Sequence, residues 1–385
     1  MSYDTTIFQK PCPVFPEDEN KTLREDLLMK IGLLTSGGDC QGLNAALRGV
    51  AKALYNEFGS NVTICGIRDG YRGLIEGDYH PMSPRDFSDI LTLGGTILGT
   101  SRQSFKTMQT AEENDDTKLE KMLATCKRAD FDCLVILGGN GTHKTANLLS
   151  EHGVNVVTLP KTIDNDLWGT QMTFGFQSAM DIAVQVIDSI HSTAFSHSRV
   201  FIVEVMGHKA GWLTLHAGIA SGADVIIIPE IPYSAKSIAS AIEKRSRSGK
   251  RFSIIAVAEG AISKEEAKMS KKEFKAARAE MQYPSISYRL ADELKALTGQ
   301  EIRVTIPGHF QRGGAPCPAD RLLCTRLGVA AAELIRDGKF GNMVAVQNDK
   351  IVPVPLKEVA GKLKTVPVDC ALIQTARELG LSMGD

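Results

Sequence analysis

The sequence predicts an α/β protein of two lobes built on parallel-rich sheets, and three observations predict it. Short apolar runs recur at 31–35, 62–67, 132–137, 154–159, 200–205, 224–228, 253–258, 302–306 and 343–347, each of strand length. Helix-like segments at 43–56, 143–151, 177–195, 236–248 and 318–336 separate most of them. Such alternation gives parallel strands with helices on both faces. So many strands over 385 residues suit two lobes with full cores better than one sheet. The expected division is an N-terminal arm at 1–28, a first lobe of 29–175 plus 311–356, and a second of 176–310 plus 357–385.

Composition narrows the function classes. The chain is 43% hydrophobic with a formal net charge of -1, which suits a globular protein and points to neither nucleic acid nor an anionic membrane as partner. Its eight cysteines (Cys12, Cys40, Cys65, Cys126, Cys133, Cys317, Cys324 and Cys370) form no C-x-x-C pair. They read as reduced, mostly buried thiols of a cytoplasmic protein. The N-terminus has no basic stretch leading into an apolar core, and no apolar run reaches the roughly 18 residues of a membrane span.

Taken in order, the strand ends carry the chemistry. The arm is polar and mixed. After the strand at 31–35, residues 34–42 (Leu-Thr-Ser-Gly-Gly-Asp-Cys-Gln-Gly) lead into a helix. Glycines there free backbone N–H groups, and the helix N-terminus adds positive potential, so Gly37 and Gly38 mark an anion site. Residues 94–102 (Gly-Gly-Thr-Ile-Leu-Gly-Thr-Ser-Arg) bring Arg102 after glycines and hydroxyls. That suits a phosphate contact, or equally an exposed glycine-rich loop. Residues 137–143 (Leu-Gly-Gly-Asn-Gly-Thr-His) repeat the cradle with Gly139, Asn140, Gly141 and Thr142, where glycine lets backbone approach a polyphosphate.

The chain then turns on 158–166, Thr-Leu-Pro-Lys-Thr-Ile-Asp-Asn-Asp. A carboxylate at the end of a buried strand can act as a general base, and its neighbour can hold Mg²⁺ indirectly. Asp164 and Asp166 are those carboxylates, with Thr162 and Lys161 beside them. A helix cap or Asx-turn is the alternative for the same residues.

In the second lobe Arg199 opens a strand that 204–208 (Glu-Val-Met-Gly-His) closes. Glu259 ends another. Arg303 opens a third, followed by 308–314 (Gly-His-Phe-Gln-Arg-Gly-Gly). Arginines with a histidine suit a dianionic sugar phosphate, and Glu259 suits sugar hydroxyls. The charged stretch 263–282 reads as a solvated helix.

The ordered motifs 35–39, 138–142, 160–166, 205–207, 303 with 308–314, and 320–321 resemble the 6-phosphofructokinase family over about residues 30–345. The resemblance implies two Rossmann-like lobes with the site in the cleft between them. It implies that Asp164 is the base toward the fructose 1-hydroxyl, with Thr162 and Asp166 beside it and Asn140 and Asp166 near Mg²⁺. Gly37, Gly38, Arg102, Gly139, Gly141 and Thr142 match donor-phosphate contacts, and Lys161 a catalytic neighbour. Thr162, Asp164, Asp166, Met206, Gly207, His208, Glu259, His309 and Arg312 match the sugar-phosphate pocket. Arg199 and Arg303 match arginines that reach across a subunit interface, so a homo-oligomer is implied.

The donor is read from two positions. Gly141 stands where the family has Gly in ATP users and Asp in pyrophosphate users. Lys161 stands where classical ATP enzymes have Gly and pyrophosphate enzymes Lys. The clash that Gly141 avoids makes ATP the implied donor and pyrophosphate the alternative. Asn140 replaces a usual Asp, and His208 a frequent Arg. These departures leave a non-catalytic sugar-phosphate binder as a further alternative. The Gly-Gly-x-Gly-Thr segment also occurs in NAD and lipid kinases, which lack 308–314. Arg48 matches an effector-contacting arginine of the family, and Lys52 and 249–251 are similar.

Overall fold

The computed structural model describes residues 28–111 and 116–385. The arm expected at 1–28 therefore lies outside the described residues except for Leu28, as does Cys12.

Two sheets organise the described residues. The first has seven strands: β1 (Met29–Thr35), β2 (Val62–Ile67), β3 (Tyr79–Met82), β4 (Cys133–Gly138), β5 (Val156–Pro160), β10 (Asn342–Gln347) and β11 (Lys350–Pro355), in the order β11-β10-β5-β4-β1-β2-β3. The second has four, β6 (Val200–Val205), β7 (Val225–Ile227), β8 (Ser253–Ala258) and β9 (Ile302–Thr305), in the order β7-β8-β6-β9. Every pairing in the second sheet is parallel. In the first, β1, β2, β4, β5 and β10 are parallel, while β3 and β11 are antiparallel edges.

Those two edge strands correct the expected set of nine. β3 is short and carries Pro81, and β11 carries Pro353 and Pro355. Proline cannot donate to a ladder and is confined to edges, which hides such strands from an apolar-run reading. The β10–β11 hairpin turns on Asn348 and Asp349, both at positive φ (49° and 62°), as a two-residue turn matched to strand twist requires.

The predicted helices occur as α1 (Leu43–Phe58), α4 (Asn140–Glu151), α5 (Phe176–His197), α7 (Ala235–Arg247) and α10 (Pro318–Arg336). Others join them: α2 (Tyr71–Glu76), α3 (Lys118–Ala129), α6 (Trp212–Ala220), α8 (Lys271–Ala279), α9 (Ile286–Thr298), α11 (Leu356–Val359) and α12 (Ala371–Glu378). α1 and α10 pack at backbone distance. A Cβ on Gly328 would lie 2.6 Å from Val50 N and 2.8 Å from Gly49 Cα, so only hydrogen fits there. Strands β4, β6 and β8 are buried at every position, the pattern of sheets covered on both faces.

The stretch 263–282 is not one solvated helix. α8 has no buried residue, but Glu266 is buried and accepts from Arg289 Nη1 and Nη2 (both 2.8 Å) and from Ser263 N (2.8 Å). Arg278 Nε lies 2.8 Å from Glu266 Oε1. Burial pushes the Glu266 carboxyl up, but these hydrogen bonds and the Arg278 charge outweigh it and hold it down at about 2.

The chain ends by returning to the second sheet. Ser382 bridges to Val225 and accepts from Ile226 N (2.8 Å), while Gly384 O accepts from Ser234 N (2.8 Å). Met383 is buried in the core. Among the described residues no helix is long and apolar enough to cross a membrane.

Candidate active site

In the first sheet β1 and β4 are neighbours whose onward connections run to opposite sides, so the crevice beyond their carboxyl ends is a switch point where ligands bind in open α/β sheets. Three glycine-bearing loops meet there. Gly37 N donates to Ser101 O (3.0 Å), and Thr100 Oγ1 donates to Gly37 O (2.7 Å). Thr35 Oγ1 donates to Gly99 O (2.7 Å). These bonds stitch 94–102 onto 35–38. They carry Arg102 to Gly38, whose added Cβ would lie 3.4 Å from Arg102 Nη2 and 3.1 Å from Arg312 Nη1. Gly37 sits at φ 90°, where an L side chain is strained. Its Cβ would stand 3.6 Å from Lys161 Nζ and 3.7 Å from Thr142 Oγ1. Backbone, ammonium and two guanidinium groups thus converge, an arrangement suited to polyphosphate.

The third loop enters α4, which presents Asn140, Gly141 and Thr142 in its first turn. Among the described residues, nothing lies within 4 Å of a Cβ built on Gly141. Asn140 Nδ2 donates to Lys362 O (2.5 Å). His143, one residue further, is fully buried, with Nδ1 2.9 Å from Gly139 O. Burial pulls its imidazole down to about 4, so it stays neutral under the loop.

β5 adjoins β4 and delivers the carboxylates. Lys161 is buried, its Nζ donates to Gly38 O, and burial lowers its pKa. Thr162 Oγ1 accepts from Asp164 N (3.0 Å), and Thr162 O accepts from Thr173 Oγ1 (2.7 Å). Among the described residues Asp164 Oδ1 is buried without a hydrogen-bond partner. An unsatisfied buried acceptor at a strand end calls for explanation, and a substrate hydroxyl would satisfy it. Asn165 takes the left-handed conformation (φ 50°). Asp166 is buried and pushed up to about 6 by that burial, with the Asp164 charge adding to it.

The second sheet faces this group with its own strand ends. After β6, Met206 N donates to Gln311 Oε1 (3.3 Å). Glu259, after β8, accepts from Gly207 N (3.3 Å) and His208 N (2.8 Å). The segment after β9 crosses to the donor loops: Arg312 Nη1 donates to Asp39 O (3.0 Å), while Gln41 Nε2 donates to Gly313 O (2.8 Å). His309 is exposed on the same segment. Met206, Gly207, His208 and Glu259 are thus held together at the carboxyl ends of β6 and β8, Gln311 ties Met206 to the segment after β9, and Arg312 of that segment reaches the loop after β1.

Arg199 and Arg303 do not join them. Both lie at the amino ends of β6 and β9, where they share Glu301: Arg199 Nε lies 2.7 Å from Glu301 Oε2, and Arg303 pairs with the other oxygen. The length of β6, roughly 20 Å at 3.3 Å per residue, separates Arg199 from Met206. Arg48 and Lys52 line a different cavity of about 700 Å³, with Arg85, Tyr55 and Thr325. Two residues have a supporting role that the sequence did not assign, although 320–321 was among the family-like motifs. Asp320, on α10, accepts from Gly175 N, Ser178 N and Ser178 Oγ (3.0, 2.8 and 2.6 Å) at the start of α5. Lys364 grips the turn that carries the two aspartates. Neither has a local signal, because the partners are about 140 and 195 positions away.

Residues 30–335 match the model of the Phosphofructokinase family. The chain belongs to that family. Among curated relatives, the ATP-dependent 6-phosphofructokinase of Spirochaeta thermophila is 56% identical over 357 residues, spanning 92% of this chain and 97% of that one. That of Propionibacterium freudenreichii subsp. shermanii is 48% identical over 378 residues, 93% and 100% of the two chains. Among solved structures, Pichia pastoris phosphofructokinase in the T-state superposes with a TM-score of 0.74 at 32% identity, over 86% of this chain and 35% of that longer one. The pyrophosphate-dependent phosphofructokinase of Nitrosospira multiformis gives 0.76 at 20% identity over 88% and 86%, a likeness of fold. The family's mixed α/β fold with parallel-rich sheets is the one described above.

Proposed function

We propose that this chain is an ATP-dependent 6-phosphofructokinase, transferring the γ-phosphoryl group of ATP to O1 of fructose 6-phosphate in glycolysis. The observation that carries the reading is the buried, unpartnered Asp164 Oδ1 at the rim of a cationic, glycine-lined crevice. Asp164 takes the proton from the 1-hydroxyl as that oxygen attacks, and ADP leaves. Phosphoryl transfer is mostly positioning and charge neutralisation. Gly38 and the α4 N-terminus supply backbone N–H groups, while Gly37, its own N–H held by Ser101 O, leaves room for the phosphate to approach. Arg102 and Lys161 offset the donor's charge. Glu259 orients sugar hydroxyls, and Met206, Gly207, His208, His309 and Arg312 line the sugar-phosphate side.

The residues fit Mg²⁺ arriving with the nucleotide. Among the described residues no group of three His, Cys, Asp or Glu would hold a metal alone. Mg²⁺ is usually bound through one or two carboxylates plus substrate phosphates, and a cation would offset the Asp164 charge that bears on Asp166. Asp166, through water, and Asn140 would hold it, and it would neutralise phosphate charge. Arg199 and Arg303, at the far end of the second sheet, serve the site of a neighbouring copy, so the working unit is a homo-oligomer. The free cysteines suit a cytoplasmic setting.

Gly141, with open space before it, favours ATP, whereas Lys161 favours pyrophosphate as donor. Steady-state turnover of fructose 6-phosphate with Mg-ATP and Mg-pyrophosphate, side by side, tests this. Turnover with ATP alone is expected. Turnover with pyrophosphate alone would transfer the decision to Lys161 and make the reaction reversible. Sugar-phosphate binding with no turnover would leave a regulatory binder.

A further inference from the structure

The turn carrying Asp164 and Asp166 is gripped from below by a strap 200 positions later in the chain. Leu363 forms an antiparallel bridge with Leu167, and Lys364 N donates to Asp166 O (2.8 Å). Lys364 Nζ then makes three hydrogen bonds, to Asn165 Oδ1 (2.9 Å), Thr170 O (2.9 Å) and Gln171 O (3.0 Å). Its other attachments belong to the second sheet's side. Trp212 Nε1 donates to Lys364 O (3.0 Å), and the ammonium stands 5.5 Å from the Trp212 ring. Asn165 is the residue between the two carboxylates and the one at positive φ. A non-glycine residue holds that conformation at some cost and persists there when its surroundings over-determine it. Here they do: its Oδ1 accepts from both Lys364 Nζ and Thr173 N (3.0 Å), and its Nδ2 donates to Gln171 O (3.3 Å).

We propose that Lys364 is a positioning residue for phosphoryl transfer: by clamping Asn165 in the left-handed conformation it sets the directions in which Asp164 and Asp166 leave the turn. Successive side chains on either side of a left-handed residue diverge, so releasing Asn165 re-aims both carboxylates together. The hydrogen bonds of Lys364 described above all go to protein groups. Its three acceptors are all on the turn 164–171, and its backbone ties that turn to Trp212 at the start of α6. The inference rests on the reaction proposed above for its kinetic readout and on the turn's geometry for a second, independent one.

The test compares wild type with Lys364→Met, which keeps the apolar stem beside Trp212 but loses the three donors, and Lys364→Gln, which keeps a shorter donor. Displacing a catalytic group by an ångström can cost about 10²-fold in rate. kcat of Lys364→Met is expected to fall by about that factor, with fructose 6-phosphate affinity changed less than about threefold and Lys364→Gln intermediate. Combined with Asp164→Asn, the loss should be far smaller than the product of the two single losses, because both act through one carboxylate. Hydrogen exchange over 161–173 supplies the readout without catalysis. The Thr173 amide, held by Asn165 Oδ1, should exchange faster in Lys364→Met while α1 and α10 keep their protection. Kinetic losses that multiply, or unchanged exchange over 161–173, overturn the proposal. An inactive wild type whose exchange does respond to Lys364→Met removes the proposed reaction and leaves the clamp standing.

Discussion

Gly141→Asp probes the donor site directly. Position 141 lies in the first turn of α4 and its Cβ direction is open to 4 Å, so the substitution meets no steric obstacle. A carboxylate near a helix N-terminus is itself favourable by about 0.3–1 kcal/mol, so thermal stability should hold or rise. The cost falls on the ligand. A carboxylate roughly 5 Å from a nucleotide phosphate, at an effective dielectric constant near 20, repels each unit charge by about 3 kcal/mol. That corresponds to about 10²-fold weaker binding. Pyrophosphate, one phosphoryl group shorter than the triphosphate, escapes the term where the carboxylate faces the α-phosphate. The assay is KM for Mg-ATP and for Mg-pyrophosphate in wild type and variant, at saturating fructose 6-phosphate, with thermal melts alongside. A well-folded variant with wild-type KM for ATP would refute the argument that space at 141 is reserved for the nucleotide.

Other consequences are as concrete. Asp164→Asn removes the proton acceptor while keeping the side chain's shape, so kcat should drop by about 10²–10⁴-fold with little change in sugar-phosphate affinity; near-normal turnover would remove Asp164 from the base role. Arg303→Ala should weaken fructose 6-phosphate binding by about 10–100-fold, the worth of a charge-assisted hydrogen bond, and a mixture of this variant with Asp164→Asn should recover activity in hybrid oligomers if sites are shared. Glu266→Gln strands Arg278 and Arg289 and should cost about 3–5 kcal/mol of stability, read from denaturant unfolding at pH 7. Because the Glu266 carboxyl is held near 2, below its ordinary 4.5, its contribution is fully present above pH 4.5. It disappears as pH falls through 2, so wild type and variant should converge in acid melts.

Much of this was legible from the chain read in order. The central parallel strands are continuous apolar runs, and the loops that follow them carry glycine, hydroxyl and charge at positions the structure gathers around one crevice. What stayed hidden has a common physical cause: it depends on partners remote in sequence. Pro81, Pro353 and Pro355 made edge strands look like loops. Glu266, set in a run of lysines and glutamates, reads as solvated until α9 brings Arg289 to it. Lys364 looks like one more surface lysine in a Lys-Leu-Lys stretch, and its role exists only because Leu363 pairs with Leu167. Arg199 and Arg303 were legible as a pair, but the residue that holds them, Glu301, was not.

The second sheet borrows its closing contacts from the last described residues: Ser382 beside β7, Gly384 on Ser234 and Met383 in the core. During synthesis, β6 to β9 emerge well before those residues exist. The second sheet therefore waits with the β7 edge unpaired and an apolar gap where Met383 will sit, a species open to chaperone capture or to pairing with another nascent chain. Its packing is completed late, and a disturbance at 382–384 would lower the yield of folded protein rather than the rate of the enzyme that does form.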